Sequence, residues 1–70
     1  MKLYVWTPAG HGQLSFFVMA ESEEQARAAV ERQVSAVRHD RGDYNVDGWG
    51  TDYYTLGEYG VGEVVEHEND

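Results

Sequence analysis

The sequence predicts a small α+β domain, in which an antiparallel sheet of about four strands is covered by one helix in the order β-β-α-β-β. Three observations lead to this prediction: two segments of alternating apolar residues near the start, one segment with helical periodicity, and short aromatic runs broken by glycines in the last third. A chain of 70 residues is long enough for one hydrophobic core. We therefore expect a single domain over residues 1–70.

The first two strands form a predicted hairpin. Residues 2–7 are rich in β-branched and aromatic types that alternate between two faces, and the alternation returns over 14–20. The segment 8–12 between them contains one proline and two glycines, which favour a turn. In the second strand one face is predicted to carry Leu14, Phe16, Val18 and Ala20, and the other Ser15, Phe17 and Met19.

A helix is predicted over residues 23–40. Ser22 stands at the N-cap position and Gln25 follows three residues later, which is the capping-box spacing. Small apolar residues recur at intervals of three and four, so the helix can lie close to a sheet. Gly42 is the predicted helix end. The residues at these intervals are Ala26, Ala29, Val30, Gln33, Val34 and Val37, of which Gln33 alone is polar.

The last third of the chain is punctuated by glycines. We predict a turn or loop over 42–50, a strand over 51–56, a turn over 57–60 and a final strand over 61–67. These two strands complete the predicted sheet.

The net charge of −8 is confined to one part of the chain. Residues 1–42 carry five acidic and five basic side chains, whereas residues 43–70 carry eight acidic side chains and no lysine or arginine. A field of one sign repels DNA, RNA and anionic membranes and attracts basic surfaces. Direct nucleic-acid binding and membrane binding are therefore not expected.

Composition also indicates the cellular compartment of the protein. Without cysteine the chain can form neither disulfides nor a thiolate zinc site, and a reducing compartment such as the cytoplasm is expected. No apolar run approaches the roughly 18 residues of a membrane span, and the first residues do not resemble a signal peptide.

No enzyme, cofactor or metal site is predicted. The three histidines lack zinc-ligand spacing, and no serine lies in a nucleophile-elbow motif. Residues 43–48 match the opening D-x-N-x-D-G of a calcium loop, but the twelfth position, which requires a bidentate glutamate, is Tyr54. Turn formation by Asp and Asn explains the same residues.

Residues 43–70, which we call the acidic segment, are the predicted partner-binding region. Aromatic residues, the type enriched at interface hot spots, lie among carboxylates there. About half of these rings are expected to pack in the core. The predicted partner-binding residues are Asp43, Asp47, Trp49, Asp52, Tyr54, Glu58, Glu63, Glu66 and Glu68. A partner with a basic nucleic-acid-binding groove would fit them.

DNA mimicry is the specific form of this prediction. Alternate residues of one extended strand lie about 6.8 Å apart, whereas a DNA strand carries one charge per roughly 3.4 Å. Carboxylates on one strand are too sparse, so mimicry requires those of 43–63 to converge with the C-terminal ones.

The layout of residues 3–37 resembles that of small acidic phage-encoded proteins, among them the anti-CRISPR inhibitors. An aromatic hairpin leads through Phe-Phe-Val-Met-Ala-Glu-Ser at 16–22 into a capped helix, and a charged segment follows. The resemblance implies an inhibitor that docks on a nucleic-acid-binding surface of a CRISPR-Cas effector complex in the host cytoplasm and blocks DNA. It assigns no individual residue, and the predicted site follows from charge alone.

Two other functions stay open. An accessory interaction domain would pair through its sheet edge and tolerate charge reversal within 43–70. A calcium-binding module would use 43–48 and gain thermal stability from calcium. Either a monomer or a homodimer is compatible with the sequence.

Overall fold

The computed structural model describes residues 1–66, which form a three-stranded antiparallel sheet with one α-helix. The α+β class and the β-β-α start are confirmed. The fourth strand predicted over 61–67 is wrong for residues 61–66, which carry no strand, and residue 67 lies outside the described residues. The elements are β1 (Lys2–Pro8), β2 (Phe16–Ala20), α1 (Glu23–Arg41), a 3-10 helix (Tyr44–Val46) and β3 (Tyr54–Tyr59).

Strand β1 is central, in the sheet order β2-β1-β3. Opposite its Tyr4 lies Val18 of β2. On the β3 side the Ala9 amide continues the pairing by donating to the Tyr53 carbonyl at 2.9 Å. Because hydrogen-bonded residues alternate along an antiparallel strand, odd-numbered residues of β1 bond to β3 and even-numbered ones to β2. Pro8, which has no N–H, lies beyond the last β1–β2 pair and costs the ladder no bond.

Strand β3 lies three residues later than predicted, and the glycine of the expected turn is inside it. Thr51 holds the preceding turn, since its hydroxyl donates to the Gly48 carbonyl at 2.7 Å. Gly57 is opposite Val5, and the Tyr59 ring folds over it: a Cβ on Gly57 would lie 2.8 Å from the Tyr59 hydroxyl oxygen. The ring thus occupies the space of the missing side chain, which lets glycine sit in a strand.

Helix α1 begins and ends close to the predicted residues. The Ser22 hydroxyl accepts from the Gln25 amide at 3.2 Å, and the Gln25 side-chain oxygen accepts from the Glu21 amide at 2.8 Å. These two bonds satisfy backbone donors at the start of the helix. Gly42 ends the helix with φ +83°, a left-handed value that glycine adopts without strain.

The core lies between α1 and one face of the sheet. It is made of the buried side chains Tyr4, Trp6, Phe16, Ala20, Ala26, Val30, Val34, Val37, Val46 and Tyr54. No helix among residues 1–66 covers the opposite face, where Phe17 and Met19 are 55% and 60% exposed. We call this second surface the open face. Within the same residues no helix is long and apolar enough to cross a bilayer.

Candidate functional site

Four of the nine predicted binding residues, Asp43, Asp47, Trp49 and Asp52, lie where two loops meet. Residues 43–53 pack against the β1–β2 loop, residues 9–15, and we call the two together the loop junction. The Leu14 amide donates to the Asn45 carbonyl at 2.7 Å, and the Asn45 side-chain amide donates to the Gly12 carbonyl at 3.3 Å. The acidic segment is therefore fixed to the neutral hairpin.

Two tyrosine hydroxyls strengthen this attachment. Tyr53 donates to the Gln13 side-chain oxygen at 2.9 Å, and Tyr54 donates to the Leu14 carbonyl at 2.7 Å. The Tyr54 side chain is only 8% exposed, and its burial raises the pKa of the hydroxyl, with a smaller contribution from Tyr53. The hydroxyl stays a neutral donor at physiological pH.

Trp49 lies at the centre of an aromatic cluster. Its ring centroid is 5.6 Å from that of Trp6, 5.7 Å from Phe16 and 5.4 Å from Tyr54, with edge-on orientations in all three pairs. Such geometry is favourable for aromatic rings. Trp49 and Tyr54, both in the predicted binding set, thus serve first as packing residues that hold the loop junction on the core.

The carboxylates of the loop junction point outward. Asp43 forms an ion pair with the Arg38 guanidinium at 3.1 Å. Asp47 and Asp52 are exposed and make no ion pair with any of residues 1–66. We call these three carboxylates the acidic rim.

The other predicted acids are placed elsewhere. Glu58 accepts a hydrogen bond from Lys2 at 2.7 Å, which raises the pKa of the Lys2 ammonium. Glu63 and Glu66 are exposed in the segment that follows β3, and Glu68 lies outside the described residues.

Strand β3 separates the acidic rim from Glu58. Its six residues cover about 17 Å, with the rim at its start and Glu58 near its end. Glu58 therefore lies apart from the acidic rim along the sheet. Sequence spacing could not show this, because the predicted position of the strand differed by three residues.

The calcium-like segment is already engaged by protein groups. Asp43 pairs with Arg38, and the Asn45 side chain bonds to the Gly12 carbonyl. In residues 1–66 no group of three histidine, aspartate or glutamate side chains could hold a metal ion.

Sequence reasoning missed a groove of about 470 Å³ on the open face. It lies between the β1–β2 loop and the segment after β3, and both Gly57 and the Tyr59 ring that covers it line the groove. The available signal was a glycine within a segment rich in aromatic and β-branched residues. Polar residues of its wall include Thr7, His11, Ser15, Thr55, Tyr59 and Glu66.

The candidate site is thus the acidic rim, held in place by backbone bonds, two tyrosine hydroxyls and the Trp49 cluster. Its shape is set by the core and its charge by the exposed carboxylates. Comparisons with protein-family models, curated proteins and solved structures find no match to this chain.

Proposed function

We propose that this domain is a non-catalytic inhibitor that docks on a basic nucleic-acid-binding surface of another protein and blocks access of DNA. The acidic rim makes the first contact. The resemblance to anti-CRISPR proteins favours a nucleic-acid-guided effector complex as the partner.

One observation carries the proposal: Asp47 and Asp52 are exposed carboxylates that form no ion pair with any of residues 1–66, and they lie on a loop that the core holds in position. Binding a mobile loop costs conformational entropy, whereas a loop fixed before binding avoids most of that cost. The rim is therefore suited to meet guanidinium and ammonium groups with little rearrangement.

The distribution of charge also supports docking through the acidic rim. The net charge of −8 and the absence of lysine and arginine after residue 42 attract a positively charged groove over distance and accelerate association. β3 separates the rim from Glu58 by roughly 10 Å or more. The matching groove would therefore carry two basic patches and not a continuous row of basic residues.

Charge reversal of the rim tests the proposal. Asp47→Lys combined with Asp52→Lys breaks no ion pair within residues 1–66, and Glu24→Lys with Glu31→Lys on the exposed face of α1 changes the net charge equally. Circular dichroism first establishes that both variants fold. We expect the wild type and the helix variant to capture a DNA-binding protein from host lysate, the rim variant to lose it, and added DNA to displace it.

Salt dependence provides a second readout. Contacts between exposed charges are screened within about 8–10 Å at physiological ionic strength, so the affinity should fall steeply with added salt. Equal capture by both charge variants, or a captured partner that DNA does not displace, would contradict the proposed function.

A further inference from the structure

Strand β2 is an edge strand whose sequence offers no protection against pairing. Its neighbour among residues 1–66 is β1 alone, and Phe16–Ala20 contains no charge, proline or glycine. Soluble proteins commonly protect exposed edges with such residues. Because even-numbered residues of β2 bond to β1, the backbone N–H and C=O of Met19 point away from the sheet.

An uncharged groove runs beside this edge. It has a volume of about 330 Å³ and lies between β2 and α1, lined by Phe16, Phe17, Val18, Ala29, Val30 and Gln33. The small side chain of Ala29 leaves room beside this edge for a helix of another molecule. A strand added to β2 would cover this groove.

The charge distribution selects a second copy of the chain as the occupant. Two molecules of net charge −8 repel each other, and the repulsion at the contact is smallest where the meeting surfaces carry no charge. β2 and the groove beside it carry no charged side chain, and the loop junction with its acidic rim meets the hairpin at the β1–β2 loop, beyond one end of β2. Antiparallel pairing through β2 places the two loop junctions at opposite ends of the paired strands.

We propose that two copies pair through β2 in antiparallel orientation about a two-fold axis at Val18, which produces a continuous six-stranded sheet. This register places Val18 opposite its own copy, and Phe17 opposite Met19 of the second copy. Phe16 then lies opposite Ala20, a large residue beside a small one. Backbone hydrogen bonds at Met19 would join the copies.

Molecular mass against concentration tests the pairing. We expect the mass from sedimentation or light scattering to rise from 7.9 kDa toward twice that value between about 1 µM and about 1 mM. Met19→Pro removes the outward N–H without touching the β1 ladder, and Met19→Thr removes the same side chain but keeps the N–H. Met19→Pro should remain at 7.9 kDa, whereas Met19→Thr should still dimerise.

A mass of 7.9 kDa at every wild-type concentration would overturn the proposal. Equal dimerisation of folded Met19→Pro would overturn it too. Loss of the dimer in both variants would show that the two copies meet through the Met19 side chain on the open face. That result would also refute edge pairing.

Hydrogen exchange of the wild type keeps the test decisive if Met19→Pro does not fold. The Met19 amide should exchange more slowly at high protein concentration than at low concentration. The Val18 amide, which points to β1, should exchange at the same rate in both samples and serves as the internal control. Concentration-independent exchange at Met19 would refute the pairing.

Discussion

Replacing Trp49 with alanine removes the ring that joins the acidic segment to the core. That ring contacts one aromatic residue from each of the three strands, Trp6, Phe16 and Tyr54. The substitution therefore tests whether the loop junction depends on packing.

The size of the effect follows from burial and ring geometry. Replacement of a core tryptophan by alanine costs about 3–5 kcal/mol, and Trp49 is half-buried, so we expect about 3 kcal/mol. A domain of 70 residues has a total stability of roughly 3.5–10 kcal/mol. The variant should lose a large part of it, with a Tm lowered by roughly 12–24 °C.

Urea denaturation followed by circular dichroism measures this loss. Tyr44→Ala is the matched control, because Tyr44 is an exposed aromatic residue of the same segment, and it should change stability by less than about 0.5 kcal/mol. Trp49→Phe should retain more stability than Trp49→Ala. A loss below about 1 kcal/mol for Trp49→Ala would refute the assignment of Trp49 to packing.

Two further predictions concern the same junction. Tyr54→Phe leaves the Leu14 carbonyl without its donor and should cost about 0.5–1.5 kcal/mol in urea unfolding at neutral pH. Burial raises the pKa of Tyr54 above its ordinary value of 10.0, so the unfolded chain loses this proton at a lower pH than the folded chain. The free energy of unfolding should therefore keep its full value below pH 10 and fall above it. This fall should be less steep in Tyr54→Phe. Gly48→Ala and Gly50→Ala both place alanine at a φ near +90°, but only at Gly48 would the new Cβ meet Tyr53, at 2.7 Å. Thermal denaturation should show the larger loss for Gly48→Ala, and equal losses would contradict the steric explanation.

The helix and hairpin could be predicted because their signals are local. Ser22 and Gln25 define the helix start by their spacing alone, and the alternation of residues 2–7 and 14–20 assigns each side chain to a face. The position of β3 could not be predicted in this way. Gly57 is typical of a turn until the ring of Tyr59 is seen to cover it, which is a contact that depends on the folded strand.

The candidate site was only partly predictable for a similar reason. The distribution of acids along the chain correctly indicated that the carboxylates of 43–66 are on the surface. The ion pairs Arg38–Asp43 and Lys2–Glu58 join the neutral and acidic parts, and they depend on the fold rather than on spacing. Burial of Tyr54 depends on the same tertiary contacts.

The ring of Tyr59 over Gly57 makes these two positions interdependent during sequence divergence. Any side chain at 57 must displace the ring, and a smaller residue at 59 would leave the glycine and its neighbour Val5 uncovered. Substitutions at the two sites should therefore be non-additive, with a larger residue tolerated at 57 only alongside a smaller one at 59. In natural variants of this chain, the identities at these positions should covary.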